Sequence, residues 1–232
     1  MPVETWSFPP LPRPSLTVAG EEARFPVHRI YCVGRNYAAH AREMGHDDRE
    51  QPCFFSKPAD AVVQGPLVAW PPATKELHHE VELVVALGRG GAHIVRNEAL
   101  DHVFGYAVGV DLTRRDLQAE AKRAGRPWDV AKGFDQSAPI SELRRVAQTG
   151  HPDRGCIELA VNGQTRQHGD LGDMIWPVAD IIVGLSAYFT LMPGDLIFTG
   201  TPEGVGPLDP GSRVAARIEG IAQLQFQMTG HD

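Results

Sequence analysis

The sequence predicts an α+β protein dominated by strands. Three observations carry this. Gly (24) and Pro (19) are abundant while the hydrophobic share stays at an ordinary globular 42%. The apolar runs have strand length and end at glycines. Two segments also carry hairpin signals, Asn162-Gly163 and Glu219-Gly220.

The elements follow in order. Residues 1–26 hold six prolines (2, 9, 10, 12, 14 and 26) and no periodicity, which reads as an extended surface arm; residues 27–232 read as a single catalytic domain. RIYCVG (29–34) is a short buried strand. NYAAHAREMG (36–45) is a short helix with Asn36 as N-cap and Gly45 as terminator, marginal by itself at barely two turns. VELVVALG (81–88) and HVFGYAVGVDLT (102–113) are strands. TRRDLQAEAKRAG (113–125) is a helix, with Thr113 and Asp116 placed as a capping box and Gly125 as its stop. IELAVNGQTRQ (157–167) is a hairpin. Pro177 opens a helix through VADIIVGLSAYF, GDLIFTG (194–200) is a buried strand, and VAARIEGIAQLQF (214–226) is a second hairpin.

Composition excludes several function classes. A formal charge of −7 and a pI near 5.8 disfavour nucleic-acid or anionic-membrane partners, which require a basic face. Three widely spaced cysteines, Cys32, Cys53 and Cys156, contain no CxxC pair and suit a reducing cytoplasm. The start MPVETWSFPPLPRP lacks a secretory pattern, and the longest apolar stretch, 181–189, is too short to span a bilayer. The expectation is a soluble cytoplasmic enzyme.

The strongest chemical signal is HHEVEL (78–83). Glu80 and Glu82 are two apart on a strand and share a face, while Val81 and Leu83 turn to the core. Paired carboxylates repel unless a cation lies between them. Asp111 ends the strand FGYAVGVD, on a face whose small Gly105, Ala107 and Gly109 would admit a close approach. Three carboxylates and no thiolate describe a hard site for Mg²⁺ or Mn²⁺. The alternatives are a solvated acidic strand face near Lys75 or Arg89, or a zinc site on His78 and His79.

His40 and Glu43 are three apart on the short helix, the spacing at which a carboxylate orients an imidazole as a general base, or makes an ordinary surface contact. Arg115 and Gln118 share a helix face just after Asp111, and Lys132 follows in WDVAKGFD; together they offer donors for a carboxylate or oxyanion, against the simpler reading of a salt bridge. TGTPEGVG (199–206) lacks a P-loop lysine, but Thr199, Thr201 and its backbone N–H groups suit a small carboxylate, and Lys57 in FFSKP is similarly ambiguous.

Taken together, VGRNYAAHAREM (33–44), SKP (56–58), LHHEVEL (77–83), GVDLTRRDLQ (109–118), AKGFD (131–135) and FTGTPEGVGP (198–207) resemble the fumarylacetoacetate hydrolase family, in family order. The string IYCVGRNYAAHAREMGHD (30–47) is most similar to members that cleave fumarylpyruvate in gentisate breakdown. The resemblance implies a mixed β-sandwich roll and a homodimer. It implies a divalent ion, Mg²⁺ or Mn²⁺, on Glu80, Glu82 and Asp111, and a water-activating dyad of His40 and Glu43 on a segment that orders over substrate. Arg35, Lys57, Arg115, Gln118 and Thr201 become substrate contacts, and Lys132 an oxyanion contact and proton source. Larger members add an N-terminal domain with a fourth acidic ligand, where this chain has only the arm. The implied reaction is hydrolytic C–C cleavage of a 2,4-dioxo acid, 3-fumarylpyruvate foremost. Rival readings are a decarboxylase or tautomerase of oxaloacetate-like acids on the same scaffold, and a non-catalytic Ca²⁺-binding module.

Overall fold

The computed structural model describes residues 5–37 and 52–230. Its centre is a six-stranded sheet in the order Arg144–Arg145, Val103–Val110, Val81–Leu87, Leu196–Phe198, Ile30–Gly34 and Cys53–Lys57. Val81–Leu87 and Val103–Val110 pair antiparallel, and Leu196–Phe198 runs parallel to Ile30–Gly34. A second sheet of five strands follows the order Gln164–Asp170, Cys156–Val161, Arg213–Ile218, Ala222–Met228 and Leu67–Val68.

Side-chain alternation divides the central sheet between two cores. Val81, Leu83, Val85 and Leu87 face a large core shared with Ile157, Leu159, Val214 and Phe226 of the second sheet and with Ile181, Ile182 and Leu185 of the helix Val178–Tyr188. Val84, Ala86, Ala107 and Phe198 face a smaller one. This sheet is therefore buried on both faces, and the seven residues 81–87 are all buried.

Both hairpin expectations hold. Asn162 and Gly163 adopt positive φ (52° and 79°) between Cys156–Val161 and Gln164–Asp170, as a type I′ turn requires. The second turn, at Glu219–Ile221, is one residue longer than a two-residue loop, with Gly220 at φ 71°.

Three expectations change. The proline-rich segment is a surface arm only as far as Arg13. From there Ser15–Thr17 and Arg24–Pro26 pair antiparallel, and Leu16, Val18, Phe25 and Val27 close the smaller core. The capping box at Thr113 does not form: Thr113–Arg114 is a short strand paired to Leu77–His79, and the helix is Arg115–Ala124, ending as expected at a left-handed Gly125. The helix expected over 36–45 lies outside the described residues after Tyr37. Asn36 itself spends its amide on Trp176 N–H, Trp176 C=O and Thr199 C=O, tying the end of its strand to two distant loops.

The glycines of FGYAVGVD also have a different cause. A Cβ at Gly109 would lie 2.6 Å from both the Phe198 ring and Val84, and one at Gly105 would lie 2.2 Å from the Arg144 carbonyl. The close approach is made by the protein's own ring and edge strand, not by a ligand. Among the described residues no helix is long and apolar enough to cross a membrane.

Candidate active site

The alternation that sends Val84 and Ala86 to the smaller core sends Glu80 and Glu82 to the same side, at the open end of the sheet. Glu82 is paired with Gly109 across the ladder, and two residues further on the Asp111 N–H donates to the Glu80 carbonyl at 2.8 Å. Asp111 and Glu80 are thus cross-strand neighbours. The three carboxylates are buried, and one oxygen of each lies within 4.8 Å of the others.

Cations of the chain frame this cluster. Lys132 Nζ donates to Glu80 Oε2 (2.8 Å), Asp111 Oδ2 (2.7 Å) and Thr113 Oγ1 (2.7 Å). Arg115 binds Glu80 Oε1 through Nη2 and the Gln118 carbonyl oxygen through Nη1, at 2.6 Å for the latter. Lys57 Nζ lies 2.8 Å from Asp111 Oδ1 and is further bound to the backbone carbonyls of Leu112 and Lys132. Glu82 receives the Gly200 N–H at 2.7 Å. Burial, then the charges of Asp111 and Glu80, still push the Glu82 carboxyl well above the usual range. Burial opposes the charge on Lys132, but Asp111 and Glu80 outweigh it and raise its pKa.

The donor set fits a divalent cation. It consists of three buried carboxylates of hard character, one oxygen of each within 4.8 Å of the others. Burial and crowding by two like charges raise Glu82, and a cation among the three carboxylates would relieve that repulsion.

One pocket gathers most of the residues selected from sequence. Arg35, Glu80, Glu82, Arg115, Gln118, Lys132 and Thr201 all line it. Arg35 reaches its rim with φ at +64°, a left-handed conformation rare outside glycine. His40 and Glu43 lie outside the described residues.

Three assignments take a different form. Lys132 donates to Glu80, Asp111 and Thr113 at once and the two carboxylates reinforce its positive charge, so it stands here as their counter-ion. Thr201 donates its one hydroxyl proton to the Val81 carbonyl (2.8 Å), which leaves none for a substrate carboxylate. Lys57 is fully enclosed and holds Asp111 instead of facing the pocket.

The zinc alternative fails on orientation. His78 accepts from Arg115 Nε (3.3 Å) and turns its other nitrogen to Glu76 (3.0 Å), whereas His79 binds Gln167 on the opposite side of the strand. Burial lowers the pKa of both imidazoles.

Sequence reasoning missed Gln167, Lys122, Phe55 and Trp128. Gln167 accepts from Val81 N–H and His79 Nδ1 and donates to Thr201 Oγ1 and the Pro202 carbonyl, fastening the ligand strand to the 199–206 turn. Nothing local marks it. Lys122 was findable, being four residues after Gln118 on the same helix face. It lies 5.2 Å above the Trp128 ring, and that ring meets Phe55 edge-on at 5.8 Å. Both aromatics line the pocket. A surface cavity of about 510 Å³ beside Glu142, Arg144 and the 219–221 turn shares no residue with it.

The chain is similar to several known proteins. The crystal structure of fumarylpyruvate hydrolase from Pseudomonas aeruginosa, in complex with Mn²⁺ and pyruvate, is 49% identical; the match covers 98% of this chain and 100% of that one, with a TM-score of 0.96. The fumarylpyruvate hydrolase of a Ralstonia species is 45% identical over 178 residues, 76% of this chain and 92% of that protein. A mitochondrial oxaloacetate tautomerase from Arabidopsis thaliana is 44% identical over 201 residues, 86% of this chain and 90% of that one. The family model for the fumarylacetoacetate hydrolase C-terminal domain matches residues 29–229. With its strand-rich fold and its buried acidic cluster, this chain belongs to the fumarylacetoacetate hydrolase family.

Proposed function

We propose that the protein hydrolyses a C–C bond of a 2,4-dioxo acid, converting 3-fumarylpyruvate and water to fumarate and pyruvate. The observation that carries this is one pocket lined by Glu80, Glu82, Arg115 and Gln118, with the buried Asp111 clustered on the two glutamates, in a chain similar over nearly its whole length to a fumarylpyruvate hydrolase. The three carboxylates hold one divalent cation, Mg²⁺ or Mn²⁺, which when bound supplies Lewis acidity toward the pyruvoyl oxygens.

The chain's own residues do the rest. His40, oriented by Glu43, takes a proton from water, and the water oxygen bonds to the acyl carbonyl carbon. Arg115 and the amide N–H₂ of Gln118, whose oxygen Arg115 already holds, stabilise the oxyanion that forms. Collapse of this adduct breaks the bond to the methylene carbon, and the electron pair leaves as the pyruvate enolate. The proton held on His40 balances the reaction when it returns to that carbon. Lys132 and Lys57 keep Glu80 and Asp111 in register throughout, and Arg35 at the rim suits the distal carboxylate of the acyl group. The enzyme works as a homodimer in a reducing cytoplasm, a setting supported by three free thiols.

A second reading, oxaloacetate tautomerisation, is favoured by the 44% identity to a plant enzyme of that activity. It uses the same cluster but needs no attacking water. Product analysis separates them. With fumarylpyruvate and added Mn²⁺, hydrolysis yields equal amounts of fumarate and pyruvate, and His40→Ala lowers kcat by about 10²–10⁴. Interconversion of oxaloacetate tautomers with no acid released from fumarylpyruvate would replace this proposal with the second reading.

A further inference from the structure

On the outer face of the five-stranded sheet, Cys156, Glu158 and His168 place one sulfur, one oxygen and one nitrogen donor within 4.8 Å of one another. Cys156 and Glu158 are two apart on one strand and share a face, while Ile157 and Leu159 between and beyond them go to the core. His168 stands directly across the ladder from Glu158, on the edge strand.

The sulfur is close to both of the other donors. Cys156 Sγ lies 3.8 Å from His168 Nε2 and 3.8 Å from Glu158 Oε2. Ligands on a tetrahedral Zn²⁺, with Zn–S about 2.3 Å and Zn–N about 2.0 Å, stand about 3.5 Å apart. Arg217 grips Glu158 Oε1 at 2.6 Å and so turns Oε2 toward the sulfur, the kind of outer contact that orients a metal ligand. Sulfur and imidazole donors also select a softer ion than the all-oxygen cluster does.

We propose that Cys156, Glu158 and His168 form a second metal site, for Zn²⁺ or a similarly borderline-soft divalent ion, with one coordination position open to water. Binding replaces the S–H bond by a sulfur–metal bond, and the proton passes to solvent. Burial and the charges of Glu158 and Glu219, offset in part by Arg217, hold the free thiol above its ordinary pKa.

The test is a Co²⁺ titration of the full chain with Mg²⁺ in excess. A sulfur-to-cobalt charge-transfer band in the near ultraviolet, saturating at one equivalent, is expected for wild type; an all-oxygen site cannot produce it. Cys156→Ser should lose the band while keeping turnover, and His168→Ala should weaken binding at least about tenfold. If the serine variant does not fold, protection of Cys156 from alkylation by added Zn²⁺ in the wild type, mapped by mass spectrometry, replaces it. No band in wild type, an unchanged band in Cys156→Ser, unchanged affinity in His168→Ala, or no protection each overturns the site.

Discussion

At position 109 a single methyl group decides how closely the ligand strands can pack. Gly109 sits opposite Glu82, and a Cβ there would press on both Phe198 and Val84 at 2.6 Å. Gly109→Ala should therefore destabilise the protein by about 1–3 kcal/mol, the usual cost of overpacking a core, read as a lower urea midpoint at unchanged slope. An unchanged midpoint would mean that the ring moves aside freely. The acidic residues themselves were legible, because a period of two forces Glu80 and Glu82 to one face and Asp111 ends a neighbouring strand. The duties of Lys57, Lys132 and Thr201 were not. Each depends on which distant group lies beside it: Lys57 meets Asp111, and Thr201 meets Val81 and Gln167.

Among the elements, the edge hairpin does more than cover the core. Its strand Gln164–Asp170 sends Gln167 inward to four partners on the ligand strand and the 199–206 turn. Gln167→Leu keeps much of the volume but strands those buried groups, at about 1–3 kcal/mol for each left unpaired. The expected result is a drop in thermal stability together with weaker metal affinity, measured by calorimetry; wild-type values for both would show that the bridge is dispensable. The N-terminal segment gives a second contrast. Deleting residues 1–13, exposed where described, should leave the melting temperature within a few degrees. Deleting residues 1–27 removes Leu16, Val18, Phe25 and Val27 from the smaller core, at about 1.5–3 kcal/mol each, and should abolish cooperative unfolding. The proline count hid this hairpin, since six prolines mask the short alternation of SLTV and RFPV.

For the whole molecule, the order of the central sheet is what makes a site. Its adjacent strands come from residues 144–145, 103–110, 81–87, 196–198, 30–34 and 53–57, so most neighbours are far apart in the chain. Hairpins are local and were readable from Asn162-Gly163 and Gly220; this long-range order carries no local signature and was accessible only through resemblance. The fold spends its interior on a cluster of three carboxylates set against Lys57, Lys132 and Arg115. A cation completing that cluster is the premise on which the proposed reaction stands. Its most direct test is fumarylpyruvate turnover, followed by ultraviolet absorbance, by protein stripped of metal and then titrated with Mn²⁺. The structure predicts no turnover when stripped and full recovery near one equivalent per chain, with Glu82→Ala failing to recover; undiminished turnover by the stripped protein would contradict it.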